Sequence, residues 1–287
     1  MQLPGDLHTH TTFSDGSNPI ALLPLLASRL GLSTLAISDH DTTRSIEYAE
    51  AHPVQDGVTL IPAVELSARD EESGRRVHLL AYWPQRSDAM ISHCTRLQAK
   101  RNACCLQSAQ ELETVYPQFK TDMALAYAKD SGVLFKSGIM QALGELGLSD
   151  GIYGETYHKW FGSSPKGPFL HEPEYDSVDT VLETMRASRA VIVFAHPSVY
   201  KSMPLVRRLA EQGRIDGIEV EHPRNTPEDK AECRALCARF ELIETGGTDY
   251  HGANSAHPRP LGTCTTTDEQ IRRISALARK RQGGLSV

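Results

Sequence analysis

Seven of the twelve histidines in this 287-residue chain, with several carboxylates, sit where short apolar runs stop. The first run closes on Asp6-Leu7-His8-Thr9-His10, and Asp15 follows shortly after. Ser38-Asp39-His40-Asp41 ends the second run and Glu65 the third. His78 falls inside the fourth, earlier than a strand-end position. Ala195-His196-Pro197, the stretch Glu219 to His222, and Thr248-Asp249-Tyr250-His251 end the last three. Imidazole and carboxylate bind borderline and hard divalent cations. Successive strands that each deliver one or two such groups to a common edge would gather them around one point.

The apolar runs give strand candidates at 5–10, 33–38, 58–66, 75–82, 190–195, 214–220 and 241–246. Helical patterns lie between most of them. Ser17 and Pro19 open one that runs to Gly31, and Thr42 or Thr43 opens another reaching His52. Others cover 176–189, 201–213, 226–239 and 267–281. This alternation predicts a parallel sheet and a barrel-like α/β fold, one strand short of eight. Such a barrel carries its active site at the strand C-termini. At period two, His8 and His10 point to the same side. Residues 84–174 break the rhythm, with helical patterns at 86–115, 121–130, 137–147 and 154–161 and no convincing strand. They read as a helical insertion capping the site, which leaves 1–83 and 175–287 as the barrel.

A formal net charge of -6 argues against a broad basic surface for nucleic acid. An aromatic content of 6% argues against a long stacking channel, although a short oligonucleotide still fits the chemistry. No apolar run approaches the roughly 18 residues that span a membrane. No basic-then-apolar leader precedes the first strand, so a cytoplasmic location is expected. The six cysteines form no Cys-x-x-Cys pair and read as reduced, packed on helices. His52, His93 and His171 are expected on the surface, and His158 and His257 near loops that could reach the site.

Taken together, Asp6-Leu7-His8-Thr9-His10, Ser14-Asp15-Gly16, Ala36 to Asp41, Glu65, His78, Ala195-His196-Pro197 and Gly247 to His251 resemble the polymerase and histidinol phosphatase (PHP) family. This family is a metal-dependent phosphoesterase branch of the amidohydrolase superfamily. The resemblance implies a distorted (β/α)7 barrel holding two or three divalent ions (Mn, Fe or Zn). It assigns His8, His10, Glu65 and Asp249 to the first ion. Glu65, His78 and His196 fall to the second, and Asp15, His40 and His251 to the third. The implied reaction is hydrolysis of a phosphate ester in a small phosphorylated metabolite by a hydroxide bridging two ions. Such a metabolite is a nucleotide, nucleoside bisphosphate, sugar phosphate or cyclic phosphate. A 5′-to-3′ exonuclease on short RNA or DNA is the alternative. A non-catalytic module and an amide hydrolase are minor ones. His222 and His251 are the candidate proton donors to the leaving group, with Asp249 as the third catalytic candidate. Arg224 follows Glu221-His222-Pro223 and is the candidate for the phosphate at the ions. Arg101 and Lys136, in the insertion, are candidates for a second anionic group, with Lys166 and Arg259 as weaker ones.

Overall fold

The computed structural model describes residues 3–283. One mixed sheet organises it. Its strands are β1 (Leu3–Thr9), β2 (Leu32–Ile37), β3 (Val54–Gln55), β4 (Val58–Arg69), β5 (Arg76–Tyr82), β6 (Val191–Phe194), β7 (Gly217–Glu221) and β8 (Ile243–Gly246). The order is β1-β2-β4-β5-β6-β7-β8, with β3 paired only to β4. All seven expected strands are present.

The expected parallel sheet is corrected at one strand. β4 and β5 pair antiparallel, and so do β5 and β6. Only six residues link β4 to β5, too few for a crossover helix, so the chain turns straight back. Asp70 fixes that turn. Its Oδ2 accepts from Ser73 Oγ at 2.6 Å, and its carbonyl accepts from Gly74 N at 2.8 Å. Gly74 takes φ +67°, a conformation glycine adopts without strain. Reversal brings the start of β5 to the edge where the other strands end. His78 therefore lies opposite Ser67, near the end of β4. This explains why His78 stands early in its apolar run.

The distorted barrel expected from the resemblance is borne out only as an α/β fold with a mixed sheet. Among the described residues the sheet is not closed by a ladder between β1 and β8. Isolated bridges join β1 to residues that follow β8, Gly5 to Thr266 and Thr9 to Tyr250. Leu7, Ile61, Leu80, Tyr82, Val193 and Ile243, from five strands, share one buried cluster. Ile274 and Ala278 of α10 (Asp268–Arg281) complete that cluster.

Helices α1 (Leu23–Arg29), α2 (Arg44–Ala51), α7 (Val178–Ala187), α8 (Met203–Glu211) and α9 (Pro227–Phe240) cover the outer face. Ser177, Thr226 and Thr267 cap α7, α9 and α10 through their hydroxyls, as small polar residues do at helix starts. The 84–174 stretch is helical: α3 (Asp88–Val115), α4 (Thr121–Leu125), α5 (Lys136–Glu145) and α6 (Glu155–Phe161). Helix α3, about 42 Å long at 1.5 Å per residue, serves two cores. Met90 and Cys94 join the sheet's outer cluster. Cys105, Ala109 and Leu112 join a separate cluster with Phe119, Met140, Trp160 and Phe169. Among the described residues no helix is long and apolar enough to cross a membrane. Cys94, Cys105, Cys233 and Cys237 are buried on helices, and all six thiols are free.

Phe194 of β6 is buried in the outer cluster. Phe194→Ala is expected to cost about 3–5 kcal/mol by leaving a cavity that stiff neighbours cannot fill, measured by urea denaturation.

Candidate metal centre

Four elements aim donor atoms at one point. His8 on β1, His10 just past it, Glu65 on β4 and Asp249 after β8 converge. His8 Nε2 and His10 Nε2 each lie 3.2 Å from Glu65 Oε2. They lie 3.4 and 3.3 Å from Asp249 Oδ1. A cation with bonds of about 2.0–2.1 Å to four tetrahedral donors spaces those donors by about 3.3–3.4 Å. The four atoms have that spacing.

Around this group, polar atoms are buried without hydrogen-bond partners. They are His8 Nε2, His10 Nε2, Asp15 Oδ1, His40 Nδ1, Glu65 Oε2 and His196 Nδ1. A buried polar atom left unpaired costs free energy, and six converging ones need a common partner. A set of imidazole and carboxylate donors fits divalent cations.

Glu65 is the shared member. Its second oxygen, Oε1, lies 2.8 Å from both His78 Nδ1 and His196 Nε2. His40 Nδ1 comes within 3.1 Å of Oε2, so His40, Glu65 and His78 form a second metal-sized group. A third contains His10, Asp15, His40 and His251, with His251 Nε2 3.2 Å from Asp15 Oδ1. The nine residues named from the sequence as ligands thus lie together. The grouping differs from the one the resemblance implied: His10 and His40 stand in two groups each, and His40 rather than His196 joins Glu65 and His78.

Protons and metal ions compete for these lone pairs. Burial alone would push His8 down, but Glu219, Glu65 and Asp249 outweigh it and hold His8 well above its usual value. Burial likewise opposes the charge on His10, yet hydrogen bonds to Asp249 and Glu65 raise it to about 10. His40 and His78, where burial dominates, fall to about 3 and about 4. Glu65 is held well below its usual value despite burial by His78, His8 and His40.

Outer carboxylates fix the donors. Glu219 of β7 places Oε1 2.8 Å from His8 Nδ1, and its Oε2 accepts from His196 N at 2.8 Å. Asp6 accepts from Thr248 N at 2.9 Å and Gly262 N at 2.8 Å, which anchors the turn into Asp249. Asp39 accepts from Thr11 N at 2.7 Å and Ser14 Oγ at 2.6 Å, holding the loop that ends in Asp15. Asp41 accepts from Ser67 N and Oγ, both at 2.8 Å, and also from Arg101. Sequence reading saw these carboxylates as motif members without seeing them as clamps. Asp39 and Asp41 flank His40 in the chain, but nothing local marks Asp6 or Glu219 as a clamp rather than a ligand. Gly247 is required because any Cβ there would strike His8. His196 and Asp249 take φ +28° and +54°, left-handed values that non-glycine residues seldom adopt outside constrained sites.

His222 is buried beside Asp249, its Nε2 3.4 Å from Oδ2. Arg224 N donates to His222 Nδ1 at 3.1 Å, which leaves the ring proton on Nε2. Burial lowers the His222 pKa. His251 has the opposite arrangement: Nδ1 donates to the Asp249 carbonyl at 2.9 Å, leaving Nε2 as a lone-pair donor.

A cavity of about 700 Å³ opens over these atoms. Arg224, Arg101, Lys136 and Arg259 line it, as do His158 and His257. Lys166 is exposed outside that lining. Burial first, then Arg76 and other nearby charges, lower Lys136 to about 8. Arg76 also lines the cavity, and sequence reading missed it. Its signal was the two-residue spacing from His78, which puts both on one face of β5. The expected surface position of His93 is corrected: it is buried on α3, 3.1 Å from Asp176 Oδ2. His171 is only partly exposed and contacts Glu111 at 2.7 Å. His52 is exposed as expected.

The PHP domain family model matches residues 6–159. A phosphoribosyl 1,2-cyclic phosphate 1,2-diphosphodiesterase from Eggerthella lenta is 32% identical over 250 residues, covering 86% of this chain and 94% of the relative. A 5′-3′ exoribonuclease from Haemophilus influenzae is 27% identical over 251 residues, covering 86% and 89%. A Bifidobacterium adolescentis crystal structure, provisionally assigned as a metal-dependent phosphoesterase, superposes with a TM-score of 0.85. It shows 28% identity and 96% coverage of both chains.

Glu219→Gln is expected to weaken divalent-metal binding about 10- to 100-fold, because the carboxylate that orients His8 is lost. Titration of apo protein with Mn or Zn measures it, and unchanged affinity would remove Glu219 from the centre.

Proposed function

Because the chain belongs to the PHP domain family and is a phosphoric ester hydrolase, we propose that it hydrolyses a phosphate ester of a small metabolite, with helices α3–α6 capping the site. The observation that carries this reading is the set of unpaired buried donors converging on Glu65, open to a cavity of metabolite size. His8, His10, Glu65 and Asp249 would hold one ion, Glu65, His78 and His196 a second, and Asp15, His40 and His251 a third. Mn, Fe and Zn all suit these donors. Such ions supply a hydroxide nucleophile near neutral pH and neutralise phosphoryl oxygens as charge shifts in the transition state.

The protein's own groups account for the rest. His222 presents an Nε2 proton at the edge of the cavity and is the proposed donor to the leaving alkoxide. His251 is better suited as a ligand, since its Nδ1 proton is spent on a backbone carbonyl. Asp249 touches both histidines and would orient His222 while serving as a ligand. Arg224 is the proposed contact to the reacting phosphate, and Arg101 and Lys136 are proposed cap contacts.

Likeness to the Eggerthella lenta enzyme favours a phosphorylated sugar or its cyclic ester as substrate. Likeness to the exoribonuclease keeps short RNA as the second reading. Phosphate release by Mn-loaded protein over a panel of nucleotides, a nucleoside bisphosphate, sugar phosphates, a cyclic phosphate and short RNA decides. Strong preference for one small phosphate is expected. Stepwise mononucleotides from RNA alone would establish the exonuclease instead. His222→Ala should lower turnover about 10²–10⁴-fold with bound metal unchanged, and unchanged turnover would end its role as acid.

A further inference from the structure

Among the nine converging donors, Asp15 and His251 stand farthest along the chain from a strand. Asp15 lies beyond β1 on a loop that folds back at Gly16, where a Cβ would meet the His10 carbonyl oxygen at 2.5 Å. His251 lies beyond β8 on a second loop. The two loops are tied to each other. Ser17 N donates to the His251 carbonyl at 3.0 Å, and Ser17 Oγ accepts from Ala253 N at 2.8 Å. Asp15 Oδ1 is buried without a hydrogen-bond partner, so no neighbouring group steers it as Glu219 steers His8. Its aim depends on the backbone that carries it.

Asn254 joins this pair of loops to the helical insertion. It is only 4% exposed. Its backbone N donates to the His251 carbonyl at 3.2 Å, and its Nδ2 donates to the Asp15 carbonyl at 2.8 Å. Its Oδ1 accepts from Gln141 Nε2 of α5. One amide thus accepts from the insertion and donates to the backbone of a metal donor, and such bonds polarise one another. Gln141 is held in place by the insertion's own packing, because Ile139, Met140, Ala142 and Leu143 on either side of it belong to that core. Ser137, Gly138 and Gln141, at helical spacing, line a small cavity of about 140 Å³ against Ser14 and Asp15.

We propose that Gln141 and Asn254 are positioning residues for Asp15, so that the group of His10, Asp15, His40 and His251 is complete only when α5 is seated against the barrel loops. This inference rests on the metal-dependent reading above. Residues one step behind a ligand set its orientation and with it the affinity for the ion. Without Gln141, Asn254 Oδ1 is left buried and unpaired, and the amide no longer has a reason to face Asp15. The coupling is reciprocal: whatever favours Asp15 in its ligating position also favours the seating of α5. The insertion then does more than roof the cavity, because its closure and the occupancy of this group rise together.

The test is a Mn titration of the full-length apo protein, with free Mn read by electron paramagnetic resonance. Wild type should show three binding events. Gln141→Leu keeps the bulk of the side chain and removes its hydrogen bond. It should weaken the weakest event about tenfold and leave the other two within about twofold. Asn254→Ala, on the other side of the contact, should weaken the same event. In wild type, amide exchange over residues 136–145 should slow as the weakest event fills, and in Gln141→Leu it should not. Thermal melts check that each apo variant is folded. A wild type that binds only two ions, three affinities unchanged in the folded variants, or a weakening shared by all three events overturns the proposal. The titration contains no substrate, so inactivity on every phosphate ester would count against the proposed function and leave this result standing.

Discussion

Glu65 is the residue on which the site depends. It is fully buried, and both its oxygens face imidazoles rather than ordinary hydrogen-bond donors. One oxygen meets His8, His10 and His40, and the other meets His78 and His196. A carboxylate so placed requires compensating positive charge. The surrounding histidines can supply it as protons or yield the space to cations. The elements carrying these histidines must therefore meet at one edge of the sheet.

The reversal at β5 is what brings them there. A parallel strand in that position would carry Arg76 and His78 to the far edge. The tight Asp70–Gly74 turn makes reversal unavoidable and lets β4 run on to Arg69 beside its partner. The same turn sets His78 against Glu65 and Arg76 against the cavity. Arg76 and His78 thus stand on one face of β5.

Asp41 joins the metal-proximal loop to the helices above it. It follows His40, binds Ser67 two residues after Glu65, and pairs with Arg101 on α3. One buried carboxylate thus fastens a ligand loop, the strand of the shared ligand and the helical segment. The long α3 adds to this by packing its first turns on the sheet and its later turns on the other helices.

Much of this was legible in the chain. His8, His10, Glu65, His196 and Asp249 stand at the ends of apolar runs, and strand ends in an α/β fold converge. Helix spans were legible at α7, α9 and α10, whereas the starts read at Ser17 with Pro19 and at Thr42 or Thr43 carry no side-chain cap on their helices. Other features needed the assembled structure. The clamps made by Asp6, Asp39, Asp41 and Glu219 join residues far apart in sequence, and nothing local distinguishes a clamping carboxylate from a ligand. The burial of His93 came from Asp176, distant along the chain. Arg76 went unread in the sequence, because only the reversal of β5 sets it against the cavity. Sequence by itself determined which residue types occupy the strand ends, because local hydrophobic period and composition are properties of neighbours in the chain. Tertiary structure alone decided sheet direction, closure and which atoms meet, because those depend on contacts between segments that no short window contains.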